Sequence, residues 1–555
     1  MQSNPSINIK AIKGADLFIK CLKEEGVEYV FGLPGEENLH LLEAIRNSGI
    51  KFILTRHEQA AAFMAATYGR LTGKAGVVLA TLGPGATNLV TGVAYAQLGG
   101  YPVVVITGQR AIKGNLQGEF QIVSVVAMME PITKMARQIV SADRIPSMVR
   151  EAFKLSEEER PGAVHLELPE DIALEKSSSV PLKRFKIRRP APDPKAVKTA
   201  VKMIEESKHP LIMIAAGANR NLVSKQLGRF IARTSIPFFT TQMGKGVIDE
   251  RDNHYIGTTV LIENDFIHRA IDKSDLIISI GHDITEKPPA ILGYGGKKTL
   301  HINFYSTKID DVYFPAYEVI GDISHTLWQF TEKITKQPHW NFEYFKKIAS
   351  EIKGIKISSA GFPLSPQRLT ADLRKIVPED GIIALDNGLY KLWIARDYPA
   401  YRQNTVLLDN ALGSMGAGLP SAIVAKLVHP DRSVVSVCGD GGFMMNSQEL
   451  ETAIRLGMDI VVVILRDNGF GMVKWKQKVF GFKDFGLDFG NPDFVKYAEC
   501  YGAKGYQVKS TADFSRILNN CIGRKGVHVI DCPINYSERI DLLPEMSGTS
   551  KSFIP

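Results

Sequence analysis

Features that would mark a secreted, membrane-spanning or nucleic-acid-binding protein are scarce in this chain. Its 555 residues include only five cysteines, Cys21, Cys438, Cys500, Cys521 and Cys532. Their odd number argues against a disulfide framework, and their spacing against a zinc site; the pattern is that of reduced thiols in a reducing compartment. No run approaches the roughly 18 uninterrupted apolar residues of a spanning helix. The first residues, Met1 to Ser6, lack an apolar signal core, and the fold is expected to begin by Ile12. A cytoplasmic protein without a membrane partner is therefore expected. The formal charge of +8 is spread along the sequence, and its densest basic stretch, Lys183 to Arg189, falls in a linker-like segment. That stretch reads as a solvated connector, not a nucleic-acid surface. No Walker lysine follows a glycine-rich loop and no Gly-x-Gly-x-x-Gly opens a βαβ unit, so a nucleotide triphosphatase or a simple dehydrogenase is poorly supported. None of the twelve histidines adjoins another.

What is present is a long alternation of helix-like and strand-like runs. A chain of this length exceeds one hydrophobic core, and a prior near 150 residues per domain gives roughly three or four. Strand-like runs at 29–31, 51–54, 76–80 and 102–107 alternate with helical stretches in the first third. Further runs occur at 211–215, 276–280 and 300–302, and again at 381–385, 433–438, 460–465 and 527–530. The expected architecture is α/β, with three doubly wound parallel-sheet domains over residues 1–180, 195–335 and 360–555. Two connectors separate them: a Ser, Pro, Lys and Arg-rich stretch at 176–195, and a lysine-rich one at about 336–360.

Two carboxylates stand out. Asp440, in Gly439-Asp440-Gly441-Gly442, closes one apolar run, and Asp467, in Asp467-Asn468-Gly469, closes the next, 27 positions later. With helical composition between them, strand–helix–strand puts both acids at the carboxyl ends of parallel strands, where open α/β sheets bind ligands. Paired hard oxygen donors suit Mg²⁺, which completes its octahedron with phosphate oxygens and water. The same residues also suit a plain pair of turn aspartates. Glu58 ends another strand directly before the alanine-rich segment 60–66. Few polar neighbours surround it, a setting that can raise a carboxyl pKa for proton sharing with a nitrogen base; a helix N-terminal Glu stabilised by the macrodipole is the plainer reading. His57 reads as structural. Gly83-Pro84-Gly85-Ala86-Thr87-Asn88 is a strand-to-helix loop with free N–H groups. In Gly413-Ser414-Met415-Gly416, Met415 is the one large side chain, either pressing on a ligand or filling a core.

Taken together these residues resemble the thiamine diphosphate-dependent enzymes. Arg56-His57-Glu58-Gln59-Ala60-Ala61, the loop from Gly83 to Leu89, Gly416-x-Gly418-Leu419-Pro420, Glu130-Pro131-Ile132-Thr133-Lys134 and Gly471-Met472-Val473 are most similar to acetolactate synthases, over nearly the whole chain. The resemblance implies that the three domains bind the cofactor pyrimidine, form a central unit and bind the diphosphate. It implies Mg²⁺ on Asp440, Asp467 and the Gly469 carbonyl, with Gly83, Asn88, Gly439, Gly441 and Met472 also at the cofactor. Met415 would hold the cofactor bent, and Glu58 would share a proton with its ring nitrogen. Gln109, Phe120, Lys134 and Val473 would lie toward the substrate. The reaction implied joins the two-carbon unit of one pyruvate to a second, giving 2-acetolactate and CO₂. The active unit would be a homodimer or homotetramer with the site between subunits, with or without a regulatory subunit.

Three departures narrow this. The segments 258–263 and 281–289 lack the patterns the family associates with FAD, as in the flavin-independent catabolic type. Trp475 stands one place before the position of the tryptophan that favours 2-oxobutyrate, so pyruvate is the expected acceptor. Arg466 replaces an asparagine beside the metal motif and either points outward or meets phosphate. Another thiamine-dependent 2-oxo acid decarboxylase, a flavin-linked pyruvate oxidase and a catalytically silent regulatory homologue are the competing readings.

Overall fold

The computed structural model describes residues 10–113, 118–219, 223–260, 266–286, 292, 297–309, 313–354 and 361–536. The chain forms two compact units, Met1–Arg188 and Arg189–Pro555.

The first unit is built on a six-stranded, all-parallel sheet. In spatial order its strands are Lys51–Leu54, Tyr29–Gly32, Gly76–Ala80, Val103–Gln109, Ala163–Pro169 and Ala136–Gln138. The inner strands are continuous apolar runs because helices cover both faces, and Gly76–Ala80 and Val103–Gln109 are buried at every position. A short antiparallel pairing of Ile12–Lys13 with Lys176–Ser177 ties the two ends of the unit together.

The second unit carries two more six-stranded parallel sheets. The central one runs Tyr255–Thr258, Phe238–Thr240, Pro210–Ile214, Leu276–Ile280, Thr299–Asn303, Tyr317–Ile320. Successive residues of one strand enter opposite cores: Ile212 and Ile214 join one apolar cluster, Leu211 and Met213 another. That is the period-two alternation of a strand covered on both sides. The last sheet runs Val406–Leu407, Ile382–Leu385, Val434–Gly439, Ile460–Arg466, Val527–Pro533, Lys504–Gln507.

By order of appearance along the chain, the first and last sheets both read 2-1-3-4-6-5, and the central one reads 3-2-1-4-5-6. Each reverses direction between two inner strands, and the crevice beyond their carboxyl ends is where such sheets take ligands.

Within the lysine-rich connector a helix forms at Glu343–Lys353. Its Phe345, Ile348 and Ala349 recur at helical spacing and are buried in the central domain's core, with Ile352 packed against them. Among the described residues no helix is long and apolar enough to cross a membrane. All five cysteines are free thiols. Of the segments singled out for the flavin question, residues 261–263 and 287–289 lie outside the described residues.

Candidate functional site

In the first unit the site is organised around Glu58, the first residue of the helix Glu58–Thr72. His57 caps that helix, its Nδ1 accepting the Gln59 N–H at 3.0 Å, which gives the histidine its structural role. The helix is buried nearly all round because alanine lets neighbours approach: a Cβ on Gly92 of the following helix, Pro84–Gly99, would sit 2.3 Å from the Ala62 Cβ. This close packing brings Asn88 to Glu58, with its Nδ2 donating to Oε2 at 3.0 Å. The turn that starts the second helix needs glycine, since Gly83 has φ +48° and a Cβ there would strike the Gln121 carbonyl oxygen at 2.6 Å. Glu58 is 9 % exposed. Its second oxygen, Oε1, lies 3.4 Å from where a Cβ on Gly85 would stand. A buried carboxylate with one oxygen oriented by an amide is equipped to share a proton through the other.

In the second unit Asp440 and Asp467 follow adjacent strands, Val434–Gly439 and Ile460–Arg466, as expected. Asp440 is itself the first residue of a short helix, Asp440–Met445, with the extended Gly439 as its cap. Its Oδ1 accepts the Gly441 N–H at 2.9 Å, and its Oδ2 accepts the Asn468 N–H and the Asn491 Nδ2, each at 2.8 Å. Asn468 turns its N–H inward by adopting φ +55°, a left-handed conformation that asparagine tolerates. Burial raises the Asp440 carboxyl above its ordinary range, against these donors. Burial, and then the charge of Asp440, push Asp467 up to about 7. The two carboxylates make this loop locally acidic, with the Lys474 charge offsetting only part of it.

A divalent cation would relieve that charge. Among the described residues no cluster of three or more His, Cys, Asp or Glu side chains is disposed to hold a metal. Two carboxylates alone would leave Mg²⁺ in need of further oxygens, which a diphosphate would supply. The loop's glycines are required by its own packing: a Cβ on Gly441 would meet the Phe470 ring at 2.8 Å, and one on Gly442 the Asp386 Oδ2 at 2.7 Å. The donor set therefore fits Mg²⁺ bound together with a diphosphate.

Met415 is half-buried, and its Cβ lies 3.7 Å from where a Cβ on Gly442 would stand, next to the acidic loop. Three residues not anticipated from the sequence hold its turn. Asp386 accepts the Gly416 N–H, Asn387 donates to the Ser414 carbonyl at 2.6 Å, and Asn446 donates to the Gly416 carbonyl at 2.9 Å. Asp386 was legible in principle, because it too is a carboxylate closing an apolar strand, Ile382–Leu385.

The remaining candidates divide. Gln109 is buried at a strand end, but its amide is engaged: Nε2 donates to Glu167 at 3.0 Å and Oε1 accepts the Arg110 N–H at 2.9 Å. Phe120 is 68 % exposed, with the Arg110 guanidinium over its ring. Met472 and Val473 lie in the first turn of the helix Gly471–Val479, half-buried and exposed respectively. Lys134 is committed elsewhere. Its ammonium donates to the carbonyls of Leu155, Glu158 (2.9 Å) and Arg160 (2.8 Å), where the helix Ile145–Glu157 ends and its carbonyls lack partners. That is a helix-capping role for the ammonium. The Arg466 Nε donates to Asp531 on the neighbouring strand at 2.8 Å, and its charge also acts on Asp440.

Comparison with known proteins agrees with this geometry. Three family models match in order: the thiamine pyrophosphate enzyme N-terminal TPP binding domain over residues 12–128, the central domain over 197–330 and the C-terminal TPP binding domain over 386–532. The chain is 33% identical to an acetolactate synthase of Bacillus subtilis, over 96% of this chain and 94% of that protein. It is 34% identical to a catabolic acetolactate synthase of Raoultella terrigena, over 96% and 97%. A probable acetolactate synthase large subunit of Methanocaldococcus jannaschii is 33% identical over 96% and 94%.

Proposed function

Because the chain belongs to the acetolactate synthase family of thiamine pyrophosphate enzymes, we propose that it converts two molecules of pyruvate to 2-acetolactate and CO₂. The single observation that supports this reading is the acidic loop, with Asp440 and Asp467 just beyond adjacent parallel strands, in a chain that also holds the Asn88-oriented Glu58. When bound, thiamine diphosphate supplies the electron sink for the pair left as CO₂ departs. Asp440, Asp467 and the Gly469 carbonyl hold the cation on the diphosphate. Glu58 holds a proton at the ring nitrogen of the pyrimidine, with Asn88 fixing the carboxylate's rotation. Met415 presses on the cofactor from its turn. A homodimer or homotetramer, in which Glu58 of one copy serves the cofactor of another, is the assembly we assign, and the cytoplasm its compartment.

We read the enzyme as flavin-independent. In the central sheet, the N–H groups of Ala216 and Met243, just beyond two strand ends, are the donors a phosphate would seek. The Glu286 carboxylate already takes them, at 3.0 and 3.3 Å, along with the Thr241 hydroxyl. The test is incubation with pyruvate, Mg²⁺ and thiamine diphosphate, without FAD. Acetolactate is the expected product, and acetaldehyde alone would overturn the assignment. A purified protein with flavin absorbance would overturn the flavin reading. Competition between pyruvate and 2-oxobutyrate, with pyruvate favoured, tests the acceptor.

A further inference from the structure

The turn that carries Met415 is held more firmly than a surface loop requires. Asp386 is 1 % exposed, and both its carboxylate oxygens lie 2.9 Å from the Gly416 nitrogen. Its neighbour Asn387 donates to the Ser414 carbonyl at 2.6 Å. Both peptide groups flanking Met415 are thus fixed, one from each of two consecutive residues. Lys391 sets the Asn387 amide by donating to its Oδ1 at 2.6 Å, and Asn446 takes the Gly416 carbonyl at 2.9 Å from the other side. The same Asp386 carboxylate packs on the acidic loop, with Oδ2 2.7 Å from where a Cβ on Gly442 would stand. One buried side chain therefore fixes the Met415 turn relative to the loop that begins with Asp440. Spending a buried carboxylate on backbone N–H groups is costly unless the geometry it enforces matters.

We propose that Asp386 is a positioning residue which, with Asn387 and Asn446, sets where Met415 meets the bound cofactor relative to its diphosphate. This rests on the proposed cofactor reading. The test is a double-mutant cycle of Asp386→Asn with Met415→Ala. It is followed by pyruvate-dependent CO₂ release and by the near-ultraviolet circular dichroism that thiamine diphosphate, itself achiral, acquires when held in one conformation. Asp386→Asn alone is expected to lower kcat about 10–100-fold with the pyruvate KM nearly unchanged, and to diminish the cofactor dichroism. In the Met415→Ala background the same substitution should cost no more than about threefold, since the side chain it positions is gone. A full loss persisting in that background, or an unchanged cofactor dichroism, would overturn the proposal. Where Asp386→Asn fails to fold, judged by thermal unfolding without cofactor, Asn387→Ala enters the same cycle with the same expectation. Acetaldehyde in place of acetolactate would refute the carboligase reading, yet leave the cycle on CO₂ release intact.

Discussion

Replacing Asp467 by Asn should make the metal-free protein more stable and the metal-loaded one less so. The reason lies in the charge of the acidic loop. Burial and Asp440 together move the Asp467 carboxyl from an ordinary 3.8 to about 7. At roughly 1.4 kcal/mol per unit this is about 4 kcal/mol, and partial solvent screening brings it to about 2. The sign follows from proton linkage: the folded state holds this proton more tightly than the unfolded chain, so the stability it contributes is fully present below pH 3.8 and lost as pH rises through about 7. Asparagine, which never ionises, escapes that loss. Thermal unfolding with a chelator present should show wild type and Asp467→Asn converging near pH 4, while at pH 8 the variant leads by about 2 kcal/mol, a few degrees in Tm. With Mg²⁺ and thiamine diphosphate added, the order should reverse, because the cation is stabilised by the same charge that strains the empty loop. A variant no more stable than wild type at pH 8 without metal would refute the reasoning, as would a difference that does not vary with pH.

Asn88→Ala removes the donor that orients Glu58 and should lower turnover about tenfold at unchanged pyruvate KM, a smaller loss than Glu58→Gln produces in the same steady-state assay. Arg466→Ala leaves the nearly buried Asp531 without its partner and should cost about 1–3 kcal/mol in denaturant unfolding. The Mg²⁺ concentration for half-maximal activity should fall slightly, since a positive charge that acts on Asp440 is removed. Lys134→Met strips a cation from three carbonyls at a helix end and should lower Tm by a few degrees, with kcat/KM for pyruvate within about twofold of wild type. A large kcat/KM loss there would restore Lys134 to the substrate side.

What was legible in the sequence was local. Asp440 and Asp467 each close an apolar run, and a strand end is a property of a few consecutive residues, so their placement could be read directly. The alanine run after Glu58 likewise announces a tightly packed helix. Partnerships across the sheet were not legible, because they depend on strand order. Arg466 meets Asp531 only because Val527–Pro533, the last strand in the chain, lies beside Ile460–Arg466 while Lys504–Gln507 takes the edge. From sequence the arginine was equally free to face the phosphate. Asp386-Asn387-Gly388 reads as an ordinary turn, and its importance depends on a turn some thirty residues later folding over it. Lys134 is the converse case. A motif shared with a family marks a position worth keeping, and here the unpaired carbonyls at a helix end are reason enough to keep a lysine.

The three sheets also show why a carboxylate at a strand end does not by itself announce a ligand. Each sheet reverses strand order between two inner strands, and in each an acid lies just beyond that reversal. In the first it is Glu37, whose Oε2 accepts the Thr81 hydroxyl at 2.6 Å. In the central sheet it is Glu286, spanning to the Ala216 N–H. In the last, Asp386 follows one strand of the reversal and Asp440 the other. Glu37, Glu286 and Asp386 spend their oxygens on donors from their own chain and so close or brace the crevice. Asp440 differs because its neighbour in the fold is a second carboxylate, Asp467, whose pKa stays raised despite the Lys474 charge. The site proposed for the cation is therefore marked by two neighbouring carboxylates, and the raised Asp467 makes the pH dependence of the metal-free protein a direct reading of it.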